Sequence, residues 1–253
     1  MTPKARLQLF LAAIVGLGGL YLWGLAGLPG FGRYPGPYGT IVASHAIKQA
    51  GATGVVSAVN FDYRGFDTLG EEFILFASAT GIGTVLRRLR GESRGLPVDQ
   101  VGAGERPATS DAVRVVAVLL VGPMVLYGWY LASHAQTSPA GGFQGGVVLA
   151  SAVVLVYLGG QFRAFRRLTA TSFFETAEAV GAGSFAAIGL SALAYGLAYL
   201  TDLLPLGQHP GAVDSSGTIA LISFFVGVEV CAAFVMMVAE LLEQALVVRK
   251  RGS

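Results

Sequence analysis

Six apolar runs, each about the 20 residues that a helix needs to cross a lipid bilayer, constrain this chain more than any other feature. They are Leu7–Leu28, Thr68–Leu89, Ala112–Ser133, Phe143–Phe162, Phe174–Leu200 and Gly217–Leu242. Together they occupy more than half of the 253 residues and leave 13% charged residues, against roughly 25% in a soluble domain. Mean hydropathy is +0.63. This composition excludes a disordered chain and a nucleic-acid binder, and it speaks against a soluble enzyme. The 36 glycines have no collagen-like period and suit helices packed closely in a membrane. The expected fold is an all-α membrane protein with six transmembrane helices.

The basic residues orient the spans. Lys4 and Arg6 precede the first; Arg87, Arg88, Arg90, Arg94, Arg106 and Arg114 surround the loop between the second and third. Arg163, Arg166 and Arg167 follow the fourth, and Arg249, Lys250 and Arg251 follow the sixth. Only Arg33, Lys48 and Arg64 fall on the other side. The positive-inside rule then makes both termini cytoplasmic. A basic start before an apolar run also resembles a signal peptide, but the run is long for one and is read as a retained helix.

Pro29–Tyr38 is too rich in proline and glycine to continue the first helix. The stretch from there to Asp67 is expected to lie over the outer surface as interfacial helix and loop. Polar Gly91–Pro107 marks a boundary. Residues 1–90 form a two-helix unit with a long external loop, 91–111 a cytoplasmic linker, and 112–253 a four-helix domain. Thr68 with Glu71, and Ser172 with Glu175, have capping-box spacing. Ser110 and Ser215 or Ser216 are expected to cap the third and sixth spans.

Carboxylates inside these spans are the main functional candidates. Asp62, Asp67, Glu71 and Glu72 cluster with Arg64 at the mouth of the second span. As hard-cation ligands they suit an ion entrance; equally, Glu71 and Asp67 suit a helix start, with Arg64 paired to Asp62 or Asp67. Glu229 lies mid-span in the sixth run, where a charge costs on the order of 3 kcal/mol or more and needs a partner, a cavity or a pathway. Glu229, Ala233, Met236, Glu240 and Glu243 share one face. Glu240 and Glu243 also fit an interfacial role, paired with Arg249 or Lys250.

His134 ends the third span and titrates near neutral pH when unperturbed; a histidine bonded to its own loop is the plainer reading. The loop after it holds Pro139, Gly141, Gly142, Gly145 and Gly146, with small residues four apart for close helix packing. His45, His134 and His209 are isolated, so no metal site is expected, and no cofactor. Cys231, the single cysteine, reads as a packing residue. Gly181-Ala-Gly-Ser-Phe-Ala186 matches a dinucleotide fingerprint by letters alone, without a preceding strand. No pattern for covalent catalysis or electron transfer is present, so an enzyme is not expected.

Two segments carry a family resemblance. Phe61-Asp-Tyr-Arg-Gly-Phe-Asp-Thr-Leu-Gly-Glu71 resembles the C-terminal part of the large A-type subunit of Mrp-type multisubunit Na⁺/H⁺ antiporters, and the E-type subunit of membrane-bound hydrogenases. Ser133-His-Ala-Gln-Thr-Ser-Pro-Ala-Gly-Gly-Phe-Gln-Gly-Gly-Val-Val-Leu-Ala150 resembles the signature of their B-type subunit, MnhB. It departs in having Ala140 where glycine is common and Ser133 before the histidine. The resemblance implies an E-like unit fused to an MnhB domain in the plasma (inner) membrane. It implies A-, C-, D-, E-, F- and G-like partner subunits, and Na⁺ and H⁺ as the transported ions. Asp67, Glu71 and Glu229 are then candidate carriers, with Glu240 on the exit. A membrane arm of a redox-driven pump and a structural scaffold are the alternatives.

Overall fold

Backbone inside a bilayer has no water to bond, so each span must satisfy its own N–H and C=O groups. The apolar runs accordingly fold as helices. The computed structural model describes residues 3–28, 30, 36–86, 110–169 and 171–251, and all regular structure among them is helical. The helices are α1 (Pro3–Ala26), α2 (Pro37–Ala50), α3 (Val55–Ala58), α4 (Gly65–Leu86), α5 (Asp111–Ser133), α6 (Gly142–Leu168), α7 (Thr171–Ala194) and α8 (Thr218–Arg251). A π-helical turn, Val59–Tyr63, continues α3. Six helices are long and apolar enough to cross a membrane: α1, α4, α5, α6, α7 and α8. The linker expected at 91–111 falls almost wholly outside the described residues.

The chain divides into two units, Met1–Ile41 and Val42–Ser253. In the first, α1 exposes Leu, Ile and Trp side chains along its length, the surface of a helix that faces apolar surroundings. The second holds the bundle. α8 is its centre, packed on α4, α5, α6 and α7. Its apolar span is more deeply buried than those of the other four. With one crossing per span, α4, α6 and α8 run one way and α5 and α7 the other.

Glycines set the closest approaches. A Cβ on Gly145 would lie 2.7 Å from the Gly128 carbonyl oxygen and 2.7 Å from the Ala132 nitrogen, both on α5. A Cβ on Gly146 would lie 2.7 Å from Val230 Cβ and 2.8 Å from the Gly227 oxygen on α8. Neighbouring residues of α6 thus admit two different helices, as small-residue interfaces do.

Several helix starts differ from expectation. α4 begins at Gly65, so Thr68 is interior and no capping box forms. The reason is the π-turn before it. The Arg64 carbonyl accepts from Asp67 N at 2.9 Å and Thr68 N at 3.4 Å, taking donors that a side-chain cap would otherwise serve. Ser172 likewise lies inside α7, with its carbonyl accepting from Thr176 Oγ1 at 2.8 Å. Ser110 does cap α5, accepting from Val113 N at 3.3 Å.

At α8 neither Ser215 nor Ser216 supplies the cap. Asp202 reaches from the preceding loop, and its Oδ1 accepts from Thr218 N at 2.7 Å and Thr218 Oγ1 at 2.8 Å. Asp202→Ala is expected to cost about 1 kcal/mol, the usual worth of a helix cap. Thermal unfolding of the detergent-solubilised protein measures this.

At the far end, α6 and α8 continue beyond the hydrophobic thickness. There Arg166 Nε pairs with Glu243 at 3.1 Å. Glu243 thus pairs with a neighbouring helix, while the side chains of Arg249 and Lys250 lie outside the described residues.

Candidate functional site

Helical geometry decides which carboxylates enter the bundle. On α4 the buried residues Gly65, Thr68, Leu69 and Glu72 recur at the spacing of one helix face. That stripe packs toward α8, and it takes Glu72 inside while Asp67 and Glu71 stay exposed. On α7, Phe174, Glu178, Ala182 and Phe185 form a similar buried stripe. On α8, Ile222, Val226, Glu229, Val230 and Ala233 are buried.

Three carboxyls therefore meet in the interior. Glu72 is the eighth residue of α4, Glu178 the eighth of α7 and Glu229 the twelfth of α8. Glu72 and Glu229 have no exposed surface, and Glu178 is 3% exposed. Glu72 and Glu229 sit against each other, and Glu178 is near enough to Glu229 to act on it through its charge. Among the described residues, and apart from the facing carboxyl, no donor group serves either oxygen of Glu72 or Glu229, nor Oε1 of Glu178.

At 1.5 Å per residue, Glu72 and Glu178 each lie about 10 Å in from the starts of oppositely directed helices. Glu229 lies about 16 Å along α8, between them. The three form a staggered row through the middle of the bundle. Gly181 makes room for it: a Cβ there would lie 2.6 Å from Glu229 Cβ and 2.9 Å from its Cα and N. The glycine that mimics a nucleotide fingerprint is a notch for Glu229.

The other candidates lie elsewhere or bond elsewhere. Asp67 Oδ2 accepts from Arg64 Nε at 2.6 Å on the exposed surface. Glu71 is exposed, one position off the buried stripe. Glu240 lies half-buried, three turns past Glu229 on α8. His134 Nδ1 donates to the Tyr130 carbonyl at 3.0 Å, and its ring stacks on Tyr130 with centroids 4.3 Å apart. Cys231 is half-buried on α8. Among the described residues no group of three or more His, Cys, Asp or Glu is placed to hold a metal ion.

The loop after His134 is a docking surface. Gly54 N donates to the Gln136 carbonyl at 3.0 Å, Thr53 Oγ1 to the Thr137 carbonyl at 2.9 Å, and Ser57 Oγ to the Ala140 carbonyl at 3.2 Å. Gln136 is fully buried, and its Nε2 donates to the Val213 carbonyl at 2.7 Å. Pro139 is exposed in this loop. Gly142, Gly145 and Gly146 pack the first turn of α6, while a Cβ on Gly141 would meet only the flexible Gln144 side chain, 2.6 Å from its Oε1.

Two residues of this region carry signals that hydropathy alone does not separate from caps. Glu178 sits one turn beyond Glu175 at a span entrance, and its face becomes visible only from the Phe174, Glu178, Phe185 spacing. Asp202 caps a helix 16 residues away. Asp202 also faces Asp62 in the π-turn, and burial, followed by the Asp202 charge, raises the Asp62 carboxyl above its ordinary 3.8.

Between the ordinary and the raised value the folded state keeps a proton that the unfolded chain has lost. Asp62 therefore makes stability fall as pH rises through that window, and the loss persists above it. Asp62→Asn is expected to raise the melting temperature at neutral pH, with the gain vanishing as pH falls toward 3.8.

The fold and buried acids define a polytopic membrane protein with ionisable groups at a helix seam. Residues 112–236 match a family model described as a domain related to the MnhB subunit of Na⁺/H⁺ antiporters, and residues 37–101 match the E-type subunit of MBH. The B-type subunit of a Na⁺/H⁺ antiporter from Bacillus subtilis is 30% identical over 40% of this chain and 71% of its own length. The A/B-type subunit of a probable K⁺/H⁺ antiporter from Rhizobium meliloti is 29% identical over 47% of this chain. The chain spans only 13% of that relative.

Among solved structures, a chain of an archaeal respiratory complex, the membrane-bound sulfane sulfur reductase, superposes with TM-score 0.71. It is 28% identical, and the match covers 94% of this chain and 99% of that one. The Mrp complex of Dietzia sp. DQ12-45-1b shares the fold, with TM-score 0.66 and 22% identity over 95% of this chain and 26% of the other. The chain belongs to the MnhB-related family of multi-pass plasma-membrane antiporter subunits. Glu72 lies in the MBH-related segment, and Glu178 and Glu229 in the MnhB-related one.

Proposed function

We propose that this chain is a membrane component of a multisubunit monovalent cation/proton antiporter of the Mrp type. Residues 1–90 supply an E-like unit and 112–253 the MnhB domain, with both termini cytoplasmic. Its partners are A-, C-, D-, E-, F- and G-like membrane subunits, and Na⁺ and H⁺ are the transported ions. The chain itself catalyses no covalent chemistry.

The observation that carries this reading is the Glu72–Glu229 pair. Charged groups inside a bilayer are costly, and where they occur they mark ion pathways. Among the described residues no third group donates a hydrogen bond to either of them; each faces only the other. They come from different family segments, so the pathway lies at the join. Asp67 and Glu71 on the exposed entrance of α4 attract cations, and Glu178 carries the row onward.

Glu72→Gln should strongly reduce cation-dependent proton flux in vesicles containing the complex, while the chains that co-purify remain the same. Full flux with Glu72→Gln would reduce the chain's role to that of a scaffold. A second reading also has support, since the sulfane sulfur reductase chain matches nearly end to end. In that case the same row serves a redox-driven pump, and chains rich in cluster-binding cysteines would co-purify.

A further inference from the structure

We infer that the Glu72–Glu229 pair binds protons and is not a ligand cage for a metal cation. The inference rests on the transport reading for its biological use, but the chemistry is local. A dehydrated Na⁺ or K⁺ needs a shell of oxygens, and membrane proteins commonly supply it from carbonyls of unwound helices. α4, α7 and α8 are continuous through residues 72, 178 and 229, so their carbonyls there are committed to helix bonds.

No cluster of three metal-ligating side chains forms among the described residues, even though Glu178 lies close by. Protons meet the need differently. Ionised carboxylates only accept hydrogen bonds, whereas a protonated carboxyl also donates. Two facing carboxyls that take up protons therefore supply the donor that their surroundings lack. Among the described residues the four oxygens have no donor other than the facing carboxyl, which is what this requires.

The charged residues nearest the pair in the chain and in the bundle are acidic: Glu71 beside Glu72 on α4, and buried Glu178 on α7. On α6, Gly146 rather than a charged residue packs near Val230 of α8, and the Arg166 of that helix is engaged with Glu243.

The test labels the full chain, in membranes with its co-purifying subunits, with dicyclohexylcarbodiimide. This reagent adds the O–H of a protonated carboxyl across its C=N bond, and the product rearranges to a stable N-acylurea. Peptide mass spectrometry should find the label on Glu229 or Glu72, unchanged by Na⁺, K⁺ or Li⁺ at fixed pH. Loss of the label on adding any of these cations would overturn the inference.

Infrared spectroscopy provides a second reading independent of reagent access. A protonated-carboxyl band should disappear in the Glu72→Gln, Glu229→Gln double variant, and its absence from the parent protein would also overturn the inference. Neither measurement depends on transport. Full flux with Glu229→Gln would count against the transport reading alone, and cation-sensitive labelling against proton binding alone.

Discussion

Glu229→Gln is expected to lower cation-dependent proton flux on the order of a hundredfold, the lower end of what a positioned proton-transfer group contributes. The amount of assembled chain should stay unchanged. Gln has nearly the volume and shape of Glu, so the contact with Gly181 and the packing around Val226 and Val230 survive. What disappears is the ability to gain and lose a proton at the middle of the row. Glu229 is fully buried beside Glu72, and the Gln amide can still donate to the Glu72 carboxyl, so the fold is expected to hold.

Flux in vesicles and the yield of the solubilised complex should therefore separate: flux falls and yield holds. Equal losses of both would mean that Glu229 works in packing. Gly181→Ala offers a comparison, since its Cβ would push on Glu229 without changing its charge. Gly183→Ala, on the same span with nothing within 4 Å, should leave both measurements as they were.

The second large effect concerns assembly. Gly142→Val should deplete folded chain from the membrane. The new Cβ would run into the Ser223 carbonyl oxygen of α8 and would lie 2.7 Å from Val226 Cβ. The first obstacle is backbone in an unbroken helix, so it cannot turn aside as a side-chain tip could. Overpacking usually costs about 1–3 kcal/mol, and occasionally more; a backbone collision that separates α6 from α8 belongs at the upper end.

Folded yield and thermal stability measure this directly. Gly141→Ala serves as the neighbouring control, because its Cβ would meet a flexible glutamine and its backbone is extended. Normal yield from Gly142→Val would show that α6 and α8 tolerate a wider separation.

Much of the fold is legible in the chain because a bilayer leaves few options. An apolar run of the right length must be a helix, and each of the six runs holds one of the six long helices, though α7 ends at Ala194, six residues before the run Phe174–Leu200 does. The edges are less legible, since they depend on backbone donors being taken by neighbours. Thr68 and Glu71 have the letters of a cap, but α4 starts earlier, at Gly65, and the Arg64 carbonyl after the π-turn takes Thr68 N first. Asp202 supplies the cap of α8 from a loop, where spacing rules that look three residues back do not reach.

The interior acids divide in the same way. Glu229 stands out because it is charged and mid-span. Glu71 and Glu72 differ by one position, and α4 is apolar nearly all round, so its hydropathy gives little guidance to the side that faces α8. The buried spacing of Gly65, Thr68 and Leu69 distinguishes them only once the packing is known. Glu178 escapes a reading by hydropathy because a carboxylate near a span entrance resembles an ordinary helix-start residue. The join between Thr53 and the Thr137 carbonyl brings together residues 84 positions apart, beyond any local pattern.

The staggered heights of the three carboxyls have an electrical consequence. With the starts of α4 and α7 at opposite faces of a hydrocarbon core about 30 Å thick, the levels of Glu72 and Glu178 differ by about 10 Å, roughly a third of it. A proton passing along the row would cross about a third of the membrane potential, changing its energy by about 0.8 kcal/mol for each 100 mV. Transport through this row should therefore respond to voltage as well as to ion gradients, with the sign of the imposed potential favouring one direction of proton movement over the other.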